Sequence, residues 1–224
     1  MNFEKNLITI SKISLYASLF APLVVYSGFI FPFITGHYYY FLTCLFIACI
    51  FYLPVWLKGA NLDFSFRGLK SHILHPSIGQ GLFIFILALI FTSFTGYDIW
   101  RSFFSTEERL IGVFSYIFLG LYFLILRRTF ISKDIKAENF LKTSIAISFI
   151  VALIGFIQFF SPSFVLNVET LERVGGLFGN PTFLAGYLLF HVFWGFYFLH
   201  ENFGDIRSKS SLGSWTILAL PYLI

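Results

Sequence analysis

Between Lys12 and Lys58 the sequence carries no charged residue, and that gap limits the fold more than any other feature of the chain. A soluble helix or strand has to show a polar face to water, so an uncharged stretch of this length belongs inside a bundle or in lipid. Further uncharged runs cover residues 71–97, 110–126, 143–168, 174–200 and 210–224. The hydrocarbon core of a bilayer is about 30 Å thick, and a helix needs about 20 apolar residues to cross it. The first gap therefore holds two spans with a tight turn near residues 33–37, and the later runs hold four more and the start of a seventh. The expected fold is an all-α integral membrane protein, a polytopic helical bundle forming one membrane domain over residues 1–224. Composition agrees: 58% of the residues are hydrophobic, 12% are charged, and the mean hydropathy of +0.82 excludes a water-soluble domain. The run at 110–126 is the shortest, so its helix stands nearly upright or borrows flanking residues.

The N-terminus has a short basic lead, Lys5 and Lys12, ahead of apolar sequence. A signal peptide has an apolar region of about 7 to 15 residues and a small-residue cleavage site. This stretch continues through Phe31 and Phe33, which predicts an uncleaved first helix. Orientation follows from the 15 Lys and Arg residues. With the N-terminus in the cytoplasm, only Arg101, Arg109 and Arg173 fall in outer segments, and all the others lie inside, as the positive-inside rule demands. The run to Ile224 ends without a polar flank, which predicts a longer protein.

Several functions are disfavoured at once. The net charge of +4 reflects topology, and the basic segments lack the aromatic interleaving of a nucleic-acid surface. Cys44 and Cys49 fall in the second span, on different faces of a helix, and read as small packing residues. No histidine, cysteine or carboxylate spacing suggests a metal. Tyr38, Tyr39 and Tyr40 sit where an interfacial aromatic belt belongs. The cytoplasmic connections around 58–77, 127–142 and 200–210 are short and polar, and there is no internal repeat. His191, in the middle of the sixth span, reads as a buried, hydrogen-bonded histidine.

The three outer arginines are the informative residues, because topology disfavours them there. Arg101 lies three residues after Asp98 and is expected to pair with it. Arg109 ends Ser105-Thr106-Glu107-Glu108-Arg109 at the outer start of the fourth span. Ser105 and Glu108 have the spacing of a capping box, and Glu107 and Glu108 suit the positive end of a helix. Arg109 opposes that dipole, so it needs Glu107, Glu108 or an anion from outside the chain.

Arg173-Val-Gly-Gly-Leu-Phe-Gly-Asn-Pro-Thr-Phe-Leu-Ala-Gly-Tyr187 poses the same question more strongly. Asn180 is a favoured N-cap and Pro181 suits the first helical position, so the sixth span begins there. Arg173 lies just upstream, and Gly175, Gly176 and Gly179 let backbone N–H groups approach a ligand. A helix N-terminus, accessible amides and an arginine make an anion site. Two other readings stand beside it: Gly175 and Gly179 have the GxxxG packing spacing, and Glu169 and Glu172 can neutralise Arg173; a third, Asn180-Pro181-Thr182 as a glycosylation acceptor, is excluded by its proline. A nucleotide loop is excluded, since no strand precedes the stretch and no Gly-Lys-Ser/Thr ends it.

The stretch resembles the signature of the O-antigen ligase and polymerase family, R-x-x-G-x-F-x-N-P-N-x-x-A leading into a membrane helix. Upstream, Arg101-Ser-Phe-Phe-Ser-Thr-Glu-Glu-Arg109-Leu-Ile-Gly112 is similar to that family's S-F-W-G-x-x-x-R-x-x-G outer segment. Thr182, Phe104 and Ser105 stand where the patterns have asparagine, tryptophan and glycine. The resemblance spans essentially the whole chain, as the N-terminal half of such a protein.

It implies a GT-C-like glycosyltransferase that needs neither metal nor other cofactor. The enzyme would move a glycan from an undecaprenyl diphosphate carrier to an acceptor at the outer face of the bacterial cytoplasmic membrane, in lipopolysaccharide biosynthesis or a related pathway. Arg173 and Arg109 would hold the diphosphate leaving group, with Asn180, Gly176 and Gly179 around it and Glu108 and Arg101 as further candidates. The catalytic base, a histidine in the family, would follow Ile224, and this stretch alone would be inactive. The acceptor, whether glycolipid, growing glycan or protein, is left open, as are a lipid-linked-glycan transporter or flippase and an inactive fragment.

Overall fold

The structure is a computed structural model in which residues 2–59, 78–106, 108–161 and 173–201 are described. Their regular elements are all helical: α1 (Asn2–Ser18), α2 (Pro32–Gly59), α3 (Ile78–Thr95), α4 (Ile99–Phe104), α5 (Val113–Ile131), α6 (Ala137–Phe160) and α7 (Pro181–Glu201). Single 3₁₀ turns cover Ala21–Leu23 and Gly176–Phe178. Among the described residues five helices, α2, α3, α5, α6 and α7, are long and apolar enough to cross a membrane. The chain is thus a multi-pass helical membrane protein. The expected seventh span, the loop after Lys58 and the carboxylates Glu107, Glu169 and Glu172 lie outside the described residues.

The first break falls earlier than the charge pattern suggests. Residues 33–37, expected to turn, are helical, and the chain turns over 19–31 instead. Proline decides this: Pro22 sits at the start of the Ala21–Leu23 turn, and Pro32 opens α2, where its missing N–H has no partner to lose. The helix α1 starts at Asn2 and so takes up Glu4, Lys5 and Lys12. The short run at 110–126 does borrow: α5 continues through Arg127 and Arg128 to Ile131. The next helix, α6, begins at Ala137, ahead of Lys142, whose Nζ lies 2.5 Å from Glu138 one turn earlier.

The described residues form two compact units, one from 2–18 and 38–135, the other from 19–37 and 136–201. In the first, serine hydroxyls let α1 lie close along α2. Ser14 donates to the Cys44 carbonyl at 2.7 Å and Ser11 to the Ala48 carbonyl at 3.2 Å, around fully buried Leu15 and Leu45. Interhelical hydrogen bonds of this kind are worth roughly 0.6–2 kcal/mol in a membrane. Lys58 at the end of α2 meets Glu4 near the start of α1 at 3.0 Å, consistent with an antiparallel pair. Phe46 and Phe118 meet edge to face, and Ser18 and Tyr122 share a 2.9 Å hydrogen bond, which seats α5. Cys44 is buried, Cys49 only partly, and both are free thiols. The helix α3 rests on Gly120 of α5, where a methyl group would come within 2.9 Å of Ile86. Its remaining surface, including Phe83, Ile84 and Phe91, is exposed as lipid-facing sequence should be.

In the second unit α6 packs on α7. Ser144 and His191 form a buried hydrogen bond of 2.9 Å, and the other ring nitrogen of His191 reaches the Tyr187 carbonyl at 2.7 Å. His191 is therefore the buried, hydrogen-bonded residue that the sequence predicts.

Candidate functional site

The stretch 173–181 is built from the end of α6 upward. Gly155 of α6 has no side chain, so Leu184 of α7 and Val174 come within van der Waals contact of the space its Cβ would fill, each at 3.5 Å. The chain then turns at Gly176, which is buried and has φ +52°. A side chain there would be strained and would press on Leu184 at 3.2 Å. The N–H of Gly176 donates to Oε1 of Gln158 at 2.7 Å. That amide, expected to be open to a ligand, is already satisfied within the protein. Phe178 closes the 3₁₀ turn onto the Gly175 carbonyl and packs between His37 and Tyr187, at centroid distances of 5.4 and 5.1 Å. Gly179 has φ +64°, and a methyl group on it would run into the Phe33 ring. Asn180 Oδ1 accepts the Thr182 N–H at 2.8 Å, and α7 starts at Pro181. The N-cap and the first helical proline are therefore placed as the sequence predicts. Gly175 and Gly179 do not lie on a helix face, so the GxxxG reading gives way to close packing in a turn.

Arg173 is different. It is exposed, and among the described residues it has no ion-pair partner and no hydrogen bond. The other residues of the stretch that fit the resemblance through Pro181 each serve the fold. Gly176 supplies a positive φ, Phe178 an aromatic stack, Asn180 a cap and Pro181 a helix start.

The second set lies in the first unit. Asp98 caps α4 through its side chain, accepting the Arg101 backbone N–H at 2.9 Å. The expected Asp98 to Arg101 pairing is thus made by the amide, and Arg101 stays exposed without a described ion pair. Ser105 does not open a helix. It ends α4, with φ 63° and ψ −163° and its N–H on the Arg101 carbonyl, so the predicted capping box with Glu108 is not formed. Backbone geometry decides this, because a residue that terminates one helix in that conformation cannot also begin the next. Glu108 and Arg109 lie in a turn in which the Arg109 and Leu110 N–H groups both donate to the Thr106 carbonyl. The next helix, α5, begins at Val113 behind Gly112, whose Cβ would collide with the Phe103 carbonyl. Arg109 therefore stands in an exposed turn ahead of the helix, not on its first residue.

The patterns shared with the resembled family thus separate into two kinds of residue. Gly112, Gly176, Phe178 and Asn180 hold backbone and packing, and the conformation of Ser105 is one that glycine adopts without strain. Arg109 and Arg173 hold nothing described.

Sequence reasoning missed His37. Its ring meets Phe178 edge to face and hydrogen-bonds the Pro22 backbone, and its buried Nε2 has no partner among the described residues. Only the folding of 19–37 against the 173–181 turn brings it there, and no local pattern carries that information. Among the described residues no group of three His, Cys, Asp or Glu side chains could hold a metal.

Compared with family models, curated proteins and solved structures, the chain matches none of them.

Proposed function

We infer that the chain forms the membrane part of an O-antigen ligase-like glycosyltransferase, with its N-terminus in the cytoplasm and residues 173–181 at the outer face. In this reading α1 is a further membrane-inserted helix, since Ser11 and Ser14 bind it along α2. The substrate is a glycan on a polyprenyl diphosphate, and the acceptor is a glycolipid, glycan or protein hydroxyl. Arg173 contacts the diphosphate, which carries away the electron pair of the sugar C1 to oxygen bond, and stabilises the charge that develops on it. The resemblance gives Arg109 the same role. A lipid diphosphate is already activated, so no ATP or metal is required of these residues.

One observation carries the reading. In the 173–181 stretch, after packing and capping are assigned, the exposed Arg173 remains without a structural role among the described residues. It lies seven residues ahead of Asn180 in the chain, and Asn180 caps a 21-residue helix whose amide end favours an anion.

The test is transfer from a purified lipid-linked glycan, together with binding of that lipid to the protein in nanodiscs. Arg173→Ala is expected to keep the thermal midpoint and lose at least about ten-fold in binding, as removal of a charged hydrogen-bond donor does. Arg173→Lys should recover little of it, because an ammonium cannot make the bidentate phosphate contact. Unchanged binding and transfer in Arg173→Ala would overturn the assignment. Arg109→Ala, measured separately, tests the second arginine.

A further inference from the structure

Two of the three tyrosines that look most like a membrane belt in the sequence are engaged within the protein. Tyr38 shares a 3.0 Å hydrogen bond with Ser115, and Tyr40 donates to the Ala17 carbonyl at 3.2 Å, both inside the first unit. An exposed aromatic cluster with a tryptophan and an arginine lies elsewhere, on α4 and the residue before its cap.

Trp100 and Phe104 stand four residues apart on one face of α4 with Arg101 beside them, and Tyr97 lies in the bend before the Asp98 cap. Tyr97 is fully exposed, Trp100 is 74% exposed and Phe104 43%. Trp100 and Phe104 meet at 4.4 Å, and the other flank of the Phe104 ring rests on Phe114 of α5 at 5.5 Å, which leaves Trp100 the more open of the two. The opposite side of α4 faces protein. Phe103 packs on Phe94 at 5.5 Å, and Ser102 donates to the Asp98 carbonyl and sits against Gly96. An apolar, aromatic face is thus presented outward by a helix whose other face is already occupied.

Its depth is fixed by its neighbours. The helix α4 begins four residues after α3 ends at Thr95, and its Phe103 carbonyl lies against Gly112, the cap of α5. Both α3 and α5 are long and apolar enough to cross a membrane. A six-residue helix clamped to the ends of two such helices stands where hydrocarbon gives way to headgroups. Aromatic rings with polar tips favour that layer, and an arginine beside them can extend to lipid phosphate.

We propose that α4 lies flat in the headgroup layer of the leaflet where α3 ends and α5 begins, with Tyr97, Trp100 and Phe104 against the lipid. The partner is the lipid surface itself, and the helix sets the height of the turn at Glu108 and Arg109 that follows. This inference stands on the membrane character of the helices and does not depend on glycan transfer.

The experiment uses the full chain in liposomes and takes the tryptophan emission lost on Trp100→Phe as the Trp100 signal. Phosphatidylcholine brominated near the headgroup is expected to quench that signal about twofold more than lipid brominated near the chain ends, since interfacial side chains insert only about 5–10 Å. Aqueous iodide should quench it less than it quenches free tryptophan amide. Full iodide quenching with no bromine effect would put the stripe in water and overturn the proposal. Shielding from both quenchers would show that protein covers it, which also overturns it. If Trp100→Phe does not fold, Phe104→Trp adds a reporter to the same face, and the same pattern of added quenching decides the question.

Discussion

The hydroxyl of Ser144 donates to Nε2 of His191 across 2.9 Å, because Nδ1 must carry the proton that the Tyr187 carbonyl accepts at 2.7 Å. Both residues are buried on helices that pack together, so the pair is a clasp between α6 and α7. Ser144→Ala leaves Nε2 without a partner and should cost about 1–2 kcal/mol. Removing both polar groups, in Ser144→Ala with His191→Phe, should cost less than the two single changes added together. Thermal or denaturant unfolding in detergent measures both, and strict additivity would rule out the clasp.

Glycines separate by what surrounds them. Gly112→Ala drives a methyl group into the Phe103 carbonyl, and Gly179→Ala combines a positive φ with the Phe33 ring, so each should destabilise by about 1–3 kcal/mol. Gly81 and Gly186 lie inside α3 and α7 with open space around them. Alanine at either should be neutral or stabilise by up to about 1 kcal/mol. The four melting temperatures, measured side by side, check the ordering.

Ser105 occupies a backbone region that is nearly reserved for glycine, and glycine is what the resembled family's pattern has there. Ser105→Gly should therefore raise stability by about 1 kcal/mol, despite the extra freedom glycine has in the unfolded chain. A lower melting temperature would show that the serine side chain contributes more than its backbone costs.

Asn180 offers a way to separate capping from anion binding. Asn180→Ala should lose about 1 kcal/mol of stability with the cap. Asn180→Asp keeps an oxygen for the Thr182 N–H and should keep the melting temperature, while its negative charge weakens binding of a lipid diphosphate. Tight diphosphate binding by Asn180→Asp would argue that the anion sits elsewhere.

Lys58 holds the Glu4 carboxyl below the usual carboxylate range, through a hydrogen bond and its charge. A depressed folded-state pKa adds stability that is complete above the unfolded value and fades as pH falls through the folded one. Because the pair is exposed, the effect should be small, absent in Glu4→Gln and weakened by salt. Carboxyl titration by NMR at low and high ionic strength measures it.

Legibility followed distance along the chain. The uncharged runs located α3, α5, α6 and α7 with ends off by up to about two helical turns, and Asn180-Pro181 marked the start of α7. The same local rules misplaced the first turn, where the deciding residues, Pro22 and Pro32, lie inside one uncharged run and leave no break in charge. They also read Ser105 and Glu108 as a cap, because the spacing is right and only the preceding helix α4 forbids it. At the candidate site the arginines were visible as exceptions to a charge rule. The glycines were visible too, but as ligand-facing amides, whereas Gln158 and Leu184 turn Gly176 into a packing residue.

The sequence by itself determined that this is a helical membrane protein, because lipid offers no partner to a charge or an open backbone amide. It also determined where several helices start, since caps and prolines act on their own neighbours. The tertiary structure decided the rest: that Tyr38 bonds Ser115, that Ser144 holds His191, that His37 meets Phe178, and that Trp100 is left facing outward. Each of these depends on which side chain a fold brings within about 3–6 Å of another. Residues separated by dozens of positions leave no periodicity from which that meeting can be read.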